Sequence, residues 1–213
     1  MRTLLHIDSS PIYGRSVSRE LTGAFVAQWK SSHPDGSVVD RDLNATSIPP
    51  ISSDWVRAVY TPEEARTPQQ QELLSLSDSL LAELEQADEY VLGVPMHNFG
   101  VPSVLKLWID QISRVGRTFT YADGKPKGLL IGKKATFIIA TGGMYDAQTR
   151  MASFNFVEPY LRSVFGFLGV TDATFLTAGG TMVLNHGQDR DAFLAPHLQA
   201  VQMHAQVLEG GHA

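Results

Sequence analysis

The sequence Glu89-Tyr-Val-Leu-Gly-Val-Pro95 is an almost unbroken apolar run, and the loop sequence Met96-His-Asn-Phe-Gly-Val-Pro102 follows it directly. Residues 135–141, Ala-Thr-Phe-Ile-Ile-Ala-Thr, form a second run of the same kind. Strands that are apolar on both sides are typical of the middle of a parallel sheet, because helices cover both of its faces. We therefore expect these two runs to be the central strands of such a sheet.

Three more short apolar runs, at 3–8, 38–43 and 173–178, alternate along the chain with patterns of helical period. This alternation predicts five parallel strands joined by crossover helices. The predicted helices cover residues 17–29, 67–84, 104–112, 154–167 and 194–208. We expect a single α/β domain over residues 1–213, a doubly wound sheet with helices on both faces. Its ligand should lie beyond the carboxyl ends of the strands.

The second helix has the clearest start. Thr67-Pro-Gln-Gln70 has the pattern of a capping box, with proline at the first helical position. An apolar stripe is predicted to follow on this helix at Leu73, Leu76, Leu80 and Leu84. The preceding segment, 44–66, is rich in proline and is predicted to be a loop with room for one short helical turn.

The composition excludes several classes of function. The formal net charge is -5, so the surface lacks the positive field that nonspecific nucleic-acid binding needs. The chain has no cysteine, which excludes thiol nucleophiles and thiolate metal sites, so redox chemistry would need a bound cofactor. No run approaches the about 18 apolar residues of a membrane span, and no secretory signal is recognisable. We expect a cytoplasmic protein without nucleic-acid or membrane partners.

The loop after the first strand, which we call the serine loop, has the sequence Asp8-Ser-Ser-Pro-Ile-Tyr-Gly-Arg-Ser-Val-Ser18 and runs into a helix. The N–H groups of the helix start, with the hydroxyls of Ser10, Ser16 and Ser18, can bind an anion such as a terminal phosphate. The loop lacks Gly-x-Gly-x-x-Gly and the Walker pattern, so it is not a typical dinucleotide or triphosphate loop. Taken alone, Ser16 could equally be an ordinary helix cap.

Two further loops are predicted at the same edge of the sheet. Residues 95–102 offer apolar surface and amide groups to a flat aromatic ring, although asparagine and glycine also suit a tight turn. The sequence Ala140-Thr-Gly-Gly-Met-Tyr145 carries paired glycines, whose N–H groups can face a ligand or can simply form a flexible turn. The convergence of three such loops favours a ligand site over three unrelated turns.

These loops resemble those of the FMN-dependent NADH:azoreductase family: the serine-bearing loop, Pro-Met-x-Asn-Phe-x-x-Pro/Ser and the Gly-Gly loop. Other segments follow in family order over nearly the whole chain, among them Arg41-Asp-Leu, Leu105-Lys-Leu-Trp-Ile-Asp110, Gly116-Arg-Thr-Phe-Thr-Tyr121 and Gly132-Lys-Lys. The resemblance implies a flavodoxin-like fold that binds FMN noncovalently and no metal. It places the FMN phosphate near Ser10, Ser16, Val17 and Ser18. It places the ring against Pro95, Met96, His97, Asn98, Phe99, Thr141, Gly142 and Gly143.

The resemblance also implies a homodimer with a flavin site at each subunit boundary, where Phe119 and Tyr121 enclose the substrate side. Their spacing puts both rings on one face of a strand, although core packing is the alternative for this pair. His97 and Tyr145 are further candidates for positioning substrate. His97 stands where relatives commonly carry a bulky aromatic residue. No side chain is predicted to be catalytic, because FMN would carry the chemistry.

The activity that the resemblance implies is a ping-pong reaction. NADH or NADPH reduces the flavin and leaves, and a quinone or an aromatic azo compound is then reduced by two electrons per cycle. Three alternatives remain at this point. They are a flavodoxin-like electron carrier or redox-sensing FMN module, a nitroreductase-type FMN reductase, and a nucleotide hydrolase or phosphatase that uses the serine loop without flavin. The segment 116–128 looks like a substrate-covering insertion, which favours an enzyme over a carrier.

Overall fold

Seven strands form two sheets within residues 1–207, the part of the chain that the computed structural model describes. They are β1 (Thr3–Asp8), β2 (Ser37–Asp42), β3 (Glu89–Pro95), β4 (Phe119–Ala122), β5 (Lys125–Gly128), β6 (Lys134–Ala140) and β7 (Asp172–Ala178). The main sheet is parallel in the order β2-β1-β3-β6-β7, and β4 pairs with β5 in an antiparallel hairpin. This is the strand order of a flavodoxin-like doubly wound sheet, so the predicted fold class is confirmed.

Helices cover both faces of this sheet. In chain order they are α1 (Val17–Ser32), α2 (Ser53–Tyr60), α3 (Pro68–Gln86), α4 (Ser103–Ile112), α5 (Val157–Leu168) and α6 (Arg190–Val207). Successive residues of β3 point to opposite faces: Val91 packs in one buried cluster with Trp29 of α1, and Leu92 packs in another with Trp108 of α4. As predicted, β3 and β6 occupy the middle of the sheet and are buried on both sides. None of the helices within residues 1–207 has the length and apolar character of a membrane span.

The connection between β2 and α3 is more ordered than the sequence predicted. It contains α2, eight residues long, and a short 3-10 turn at Glu63–Ala65. The Ser52 hydroxyl caps α2 by accepting a hydrogen bond from the Trp55 N–H at 3.1 Å, and Trp55 packs with Ala58 and Leu74. The prediction of a loop with one short turn was wrong because prolines flank this helix without interrupting it.

The capping box of α3 is confirmed, and so is its apolar stripe at Leu76, Leu80 and Leu84, but not at Leu73. The Thr67 hydroxyl accepts from the Gln70 N–H, and the Gln70 side chain accepts from the Thr67 N–H. Leu73, predicted to be buried, is 39% exposed, whereas Leu74 and Ser77 are fully buried. The Ser77 hydroxyl donates to a backbone carbonyl of α4 at 2.7 Å. A hydropathy pattern does not reveal such a polar contact between helices.

The last two helices differ from the predictions only at their ends. Helix α5 begins at Val157 instead of residue 154, because a 3-10 turn at Ala152–Phe154 precedes it. Helix α6 contains the predicted apolar positions up to Ala205, which is buried. Leu208, predicted on the same face, lies outside the described residues.

The hairpin of β4 and β5 is fixed to the end of α5 by a close approach of two backbones. A Cβ atom at Gly128 would lie 2.2 Å from the backbone nitrogen of Gly169, so this position accepts only glycine without a shift. Next to it, the Leu130 N–H donates to the Leu168 carbonyl at 2.9 Å. The position of Phe119 and Tyr121 therefore depends on this contact between glycines.

Replacing Gly128 by alanine should lower the free energy of unfolding by about 1–3 kcal/mol, because a backbone segment must move to admit the methyl group. The matched control is Gly166→Ala in α5, where a Cβ atom would meet nothing within 4 Å. Alanine is favoured over glycine within a helix, so this control should be neutral or stabilising by up to about 1 kcal/mol. Urea denaturation measures both. A Gly128→Ala protein as stable as the parent would contradict the close approach.

Candidate functional site

A pocket of about 530 Å³ opens at the carboxyl edge of the parallel sheet. The loops after β1, β3, β6 and β7 meet there, as expected for the ligand edge of a doubly wound sheet. Its volume lies within the range of small-molecule sites, about 300–1,000 Å³. The predicted site residues that line this pocket are Ser10, Ser16, Val17, Pro95, Met96, His97 and Gly142.

One end of the pocket is suited to an anion. Ser16 caps α1 by accepting a hydrogen bond from the Arg19 N–H at 3.4 Å, and its hydroxyl lies 3.2 Å from that of the fully buried Ser18. The N–H groups of the first helical turn, including those of Val17 and Ser18, have no acceptor within the helix. The positive end of the helix dipole lies at the same place. Ser18 thus supports this end of the pocket without lining it.

Two arginines, Arg15 and Arg190, also line the pocket. Arg190 is held at the start of α6 by an ion pair with Glu20 of α1. The positive charge of Arg15 and the unpaired N–H donors of the helix start, in one concave surface, attract an anionic ligand. The pocket therefore combines a positive end with the apolar walls described next.

The loop after β3 forms one wall of the pocket. The Met96 N–H donates to the Ala140 carbonyl at 2.8 Å, and His97 and Gly100 exchange two backbone hydrogen bonds of 3.0 Å. Asn98 and Phe99, between them, have φ angles of 48° and 71°. Residues other than glycine in this left-handed region cost of order 1 kcal/mol each, so the two hydrogen bonds stabilise a strained turn.

Asn98 and Phe99, which were predicted to face the ligand, lie outside the lining of the pocket. The Phe99 ring instead has its centroid 6.2 Å from that of Tyr145 and 5.2 Å from that of Phe154. The structure thus brings two predicted residues, Phe99 and Tyr145, together beside the pocket. The three rings pack on one another, and none of them belongs to the lining of the pocket.

The Gly-Gly loop after β6 is held by its carbonyl groups. The Thr141, Gly142 and Gly143 carbonyls accept from the N–H groups of residues 181, 182 and 180, and the Thr141 hydroxyl donates to the Gly143 carbonyl at 2.8 Å. Within residues 1–207, no protein acceptor pairs with the N–H groups of Gly142 and Gly143. These donors remain available to a ligand, although only Gly142 itself lines the pocket.

The sequence did not predict the contribution of the loop after β7. Thr181, Met182, Leu184 and Asn185 line the pocket, as does Ile12 from the serine loop. A signal for this loop was present: Gly179 and Gly180 follow the fifth predicted strand, at the same edge as the other three loops. Glycines directly after a parallel strand indicate close backbone contacts at the ligand edge.

Phe119 and Tyr121 lie on the same face of the hairpin, as predicted, with ring centroids 5.8 Å apart. Neither lines the pocket of its own chain. The Phe119 ring packs on Phe167 at a centroid distance of 4.8 Å, whereas Tyr121 is 62% exposed. Core packing therefore accounts for Phe119 but not for Tyr121.

A charged cluster lies beside the pocket, at the carboxyl ends of β1 and β2. His6 Nδ1 lies 2.8 Å from an Asp40 oxygen, and His6 Nε2 lies 3.4 Å from an Asp8 oxygen. Burial alone would lower the pKa of His6, but its contacts with Asp8 and Asp40 outweigh burial and raise that pKa above 6.5. Arg19 pairs with Asp42 at 2.8 Å and lowers the pKa of that carboxyl, although partial burial acts in the opposite direction.

The comparisons with known proteins agree with this architecture. A family model described as flavodoxin-like fold matches residues 2–204. The chain is 57% identical to the FMN-dependent NADH:quinone oxidoreductase of Acidobacterium capsulatum, over 95% of this chain and 98% of the relative. It is 48% identical to FMN-dependent NADH:quinone oxidoreductase 3 of Burkholderia lata, over the same shares of 95% and 98%. An FMN-dependent NADH-azoreductase from Bacillus anthracis, solved in complex with FMN, superposes with a TM-score of 0.87 at 27% identity, over 98% of this chain and 99% of that one.

The raised pKa of His6 gives a pH dependence of stability with a definite sign. Because the folded pKa lies above the unfolded value near 6.5, the stabilisation is fully present below that value and is lost as pH rises through the folded pKa. The free energy of unfolding, relative to a His6→Gln variant, should therefore fall between about pH 5.5 and about pH 8.5. Urea denaturation at the two pH values measures it.

His204 provides the matched control for this measurement. Burial lowers its pKa, with the charges around it acting as weaker influences, so its contribution to stability should rise with pH, relative to His204→Gln. A His6→Gln difference that stays constant with pH would contradict the assigned contacts.

Proposed function

This chain belongs to the family of flavodoxin-like fold that spans residues 2–204, and we propose that it is an FMN-dependent NADH:quinone oxidoreductase. It reduces quinones by two electrons and cleaves aromatic azo compounds by the same route. The 57% identity to a relative of that name, over nearly the full length of both chains, is the observation that carries the assignment. The proposal treats residues 1–213 as one domain that acts in the cytoplasm, where NADH is available.

The pocket fits FMN at both of its ends. Its positive end offers the Ser10 and Ser16 hydroxyls and the N–H groups at the start of α1, which suit a phosphate dianion. The apolar side chains of Pro95, Met96 and Met182 line the remainder, which suits a flat aromatic ring. In the proposed complex the full set of binding residues is Ser10, Ser16, Val17, Ser18, Pro95, Met96, His97, Asn98, Phe99, Thr141, Gly142 and Gly143.

When bound, FMN supplies the redox chemistry, which takes two electrons from NADH and passes them to the acceptor in a ping-pong sequence. The protein binds, orients and sets the electrostatic surroundings. The N–H groups of Gly142 and Gly143, which lack protein acceptors within the described chain, can donate to the electron-rich edge of the ring. Donors that are already in place stabilise negative charge without reorganisation, so they favour the reduced form of the cofactor.

The acceptor side lies at the mouth of the pocket, in a site completed by a second copy of the chain. His97 lines the pocket, and Tyr145 stands beside it with Phe99. In the proposed homodimer Phe119 and Tyr121 enclose the substrate side at the subunit boundary: Tyr121 reaches the neighbouring site, and Phe119, packed on Phe167, supports the Tyr121 ring. Tyr121 is 62% exposed in a single chain, as expected of an aromatic side chain that a partner covers.

An apolar surface around the start of α5 supports the homodimer. Phe154 and Phe156 are 42% and 58% exposed, and Phe156 borders a shallow apolar cleft with Val101 and Tyr160. Single exposed apolar residues are ordinary on a monomer, but a contiguous group beside a ligand pocket indicates an interface. The proposed occupant of this surface is the same surface of a second copy, related by a two-fold axis.

The enzyme assignment is tested by NADH oxidation with a panel of acceptors. The FMN-loaded protein should reduce benzoquinone with a kcat of at least about 1 s⁻¹, whereas the FMN-free protein and free FMN at equal concentration should not. Slow NADH oxidation with every acceptor would instead support an electron carrier or sensor. A strong preference for nitroaromatic acceptors would support a nitroreductase-type FMN reductase. Release of phosphate from a nucleotide by the flavin-free protein would support a hydrolase or phosphatase.

The dimer is tested by sedimentation equilibrium, which should give twice the chain mass of 23.3 kDa. Phe156→Glu should weaken the dimer and raise the KM for benzoquinone, because a charge would enter the apolar surface. Met203→Glu is the matched control, since Met203 is similarly exposed, at 56%, on α6. A monomer with full quinone reductase activity would contradict a site completed by two chains.

A further inference from the structure

Arg19 joins several parts of the chain at one guanidinium group. From the first turn of α1, its Nε and Nη2 atoms donate to the Ser10 carbonyl at 2.9 and 2.7 Å. Nη2 also donates to Asp42 at 2.8 Å, and Nη1 lies 3.4 Å from Asp8. The ring of Tyr13 covers the group, with its centroid 4.5 Å from Cζ. The serine loop, α1, β1 and β2 are therefore tied together at this side chain.

The position of Arg19 opposes the local preference of a helix. It is the third residue of α1, and the positive end of the helix dipole disfavours a cation in the first turn. The negative charges of Asp8 and Asp42 compensate for this, but they could do so only because the fold brings three segments together. A residue that departs from a local rule while making several specific contacts is a candidate for a functional role.

Ser10 lies between two clefts. It lines the large pocket, whereas Arg19 lines a different cleft of about 170 Å³ with His6, Asp8 and Asp42. Arg19 thus reaches the serine loop from outside the pocket. Its two hydrogen bonds engage the Ser10 carbonyl, a dipole whose negative end would repel an anion if it turned toward the pocket.

We propose that Arg19 is a positioning residue that fixes the serine loop for the phosphate of FMN, and that it gives the site its preference for FMN over riboflavin. This inference rests on the proposed function. The phosphate is the only group that FMN has and riboflavin lacks, and the serine loop is the part of the pocket assigned to it. A loop that is ordered before binding loses less conformational entropy when the phosphate binds.

Loss of Arg19 should therefore weaken the binding of FMN and spare that of riboflavin. Arg19→Gln should raise the Kd for FMN about 10- to 100-fold, the size expected when charged hydrogen bonds to the loop are lost. The Kd for riboflavin should change less than about threefold, because the ring contacts remain. Arg19→Lys should give an intermediate loss, since an ammonium group keeps the charge but cannot bond Ser10 and Asp42 as a planar fork does.

The experiment titrates FMN-free protein with FMN and with riboflavin and follows the quenching of flavin fluorescence. Arg41→Gln is the matched control, because Arg41 is also a partly buried arginine of the same cleft. Its hydrogen bonds go to Glu83 and Thr46, and none reaches the serine loop. This control should leave the ratio of the two dissociation constants unchanged. Circular dichroism establishes that each variant is folded.

The outcomes separate this inference from the proposed function. A parent protein that binds neither flavin would contradict the proposed function itself. A parent that prefers FMN, with an unchanged preference in Arg19→Gln, would overturn only the role of Arg19. An equal loss of both flavins would reveal a merely structural role and would overturn it as well. If Arg19→Gln does not fold, Arg19→Lys decides, and an unchanged ratio of dissociation constants in that variant overturns the inference.

Discussion

The burial of β3 and β6 on both faces is the constraint on which the rest of the structure depends. Because helices must cover both sides of these strands, each strand is followed by a crossover helix and all five strands run parallel. The loops that lead from the strands into the helices then gather at one edge of the sheet. The pocket lies where these loops meet, so its position follows from the packing of the core and not from the loops themselves.

The residues of these loops determine which ligands the pocket can bind. Its lining contains the Ser16 cap at the start of α1, Gly142 after β6 and the arginines Arg15 and Arg190. Three carboxylates around it are paired with arginines: Asp8 and Asp42 with Arg19 in the neighbouring cleft, and Glu20 with Arg190. Negative charge is therefore compensated outside the pocket, whereas unpaired donors remain inside it. This separation of charge suits an anionic cofactor with a flat, hydrogen-bonding ring.

Much of this could be predicted from the sequence, because strand order and ligand edge depend on long apolar runs. The capping box at Thr67 could also be predicted, because it depends only on two residues that are three positions apart in the sequence. The sequence could not predict that Leu73 is exposed. The face of α3 that is buried there includes the polar Ser77, whose hydroxyl bonds to another helix. Nor could the sequence predict Met182 in the pocket, because that short segment is positioned by hydrogen bonds to the distant Gly-Gly loop. Contacts between secondary-structure elements are hard to recognise in a single sequence, whereas the periodicity within one element is not.

The central claim is that this pocket holds an FMN that alternates between a nicotinamide and an aromatic acceptor. Anaerobic stopped-flow absorbance tests it most directly, by mixing the FMN-loaded protein with NADH and then, in a second mixing step, with benzoquinone. Rapid bleaching of the flavin band followed by its rapid return is the predicted result. A flavin band that NADH does not bleach would contradict the claim, even if the fold and the bound FMN were both as described.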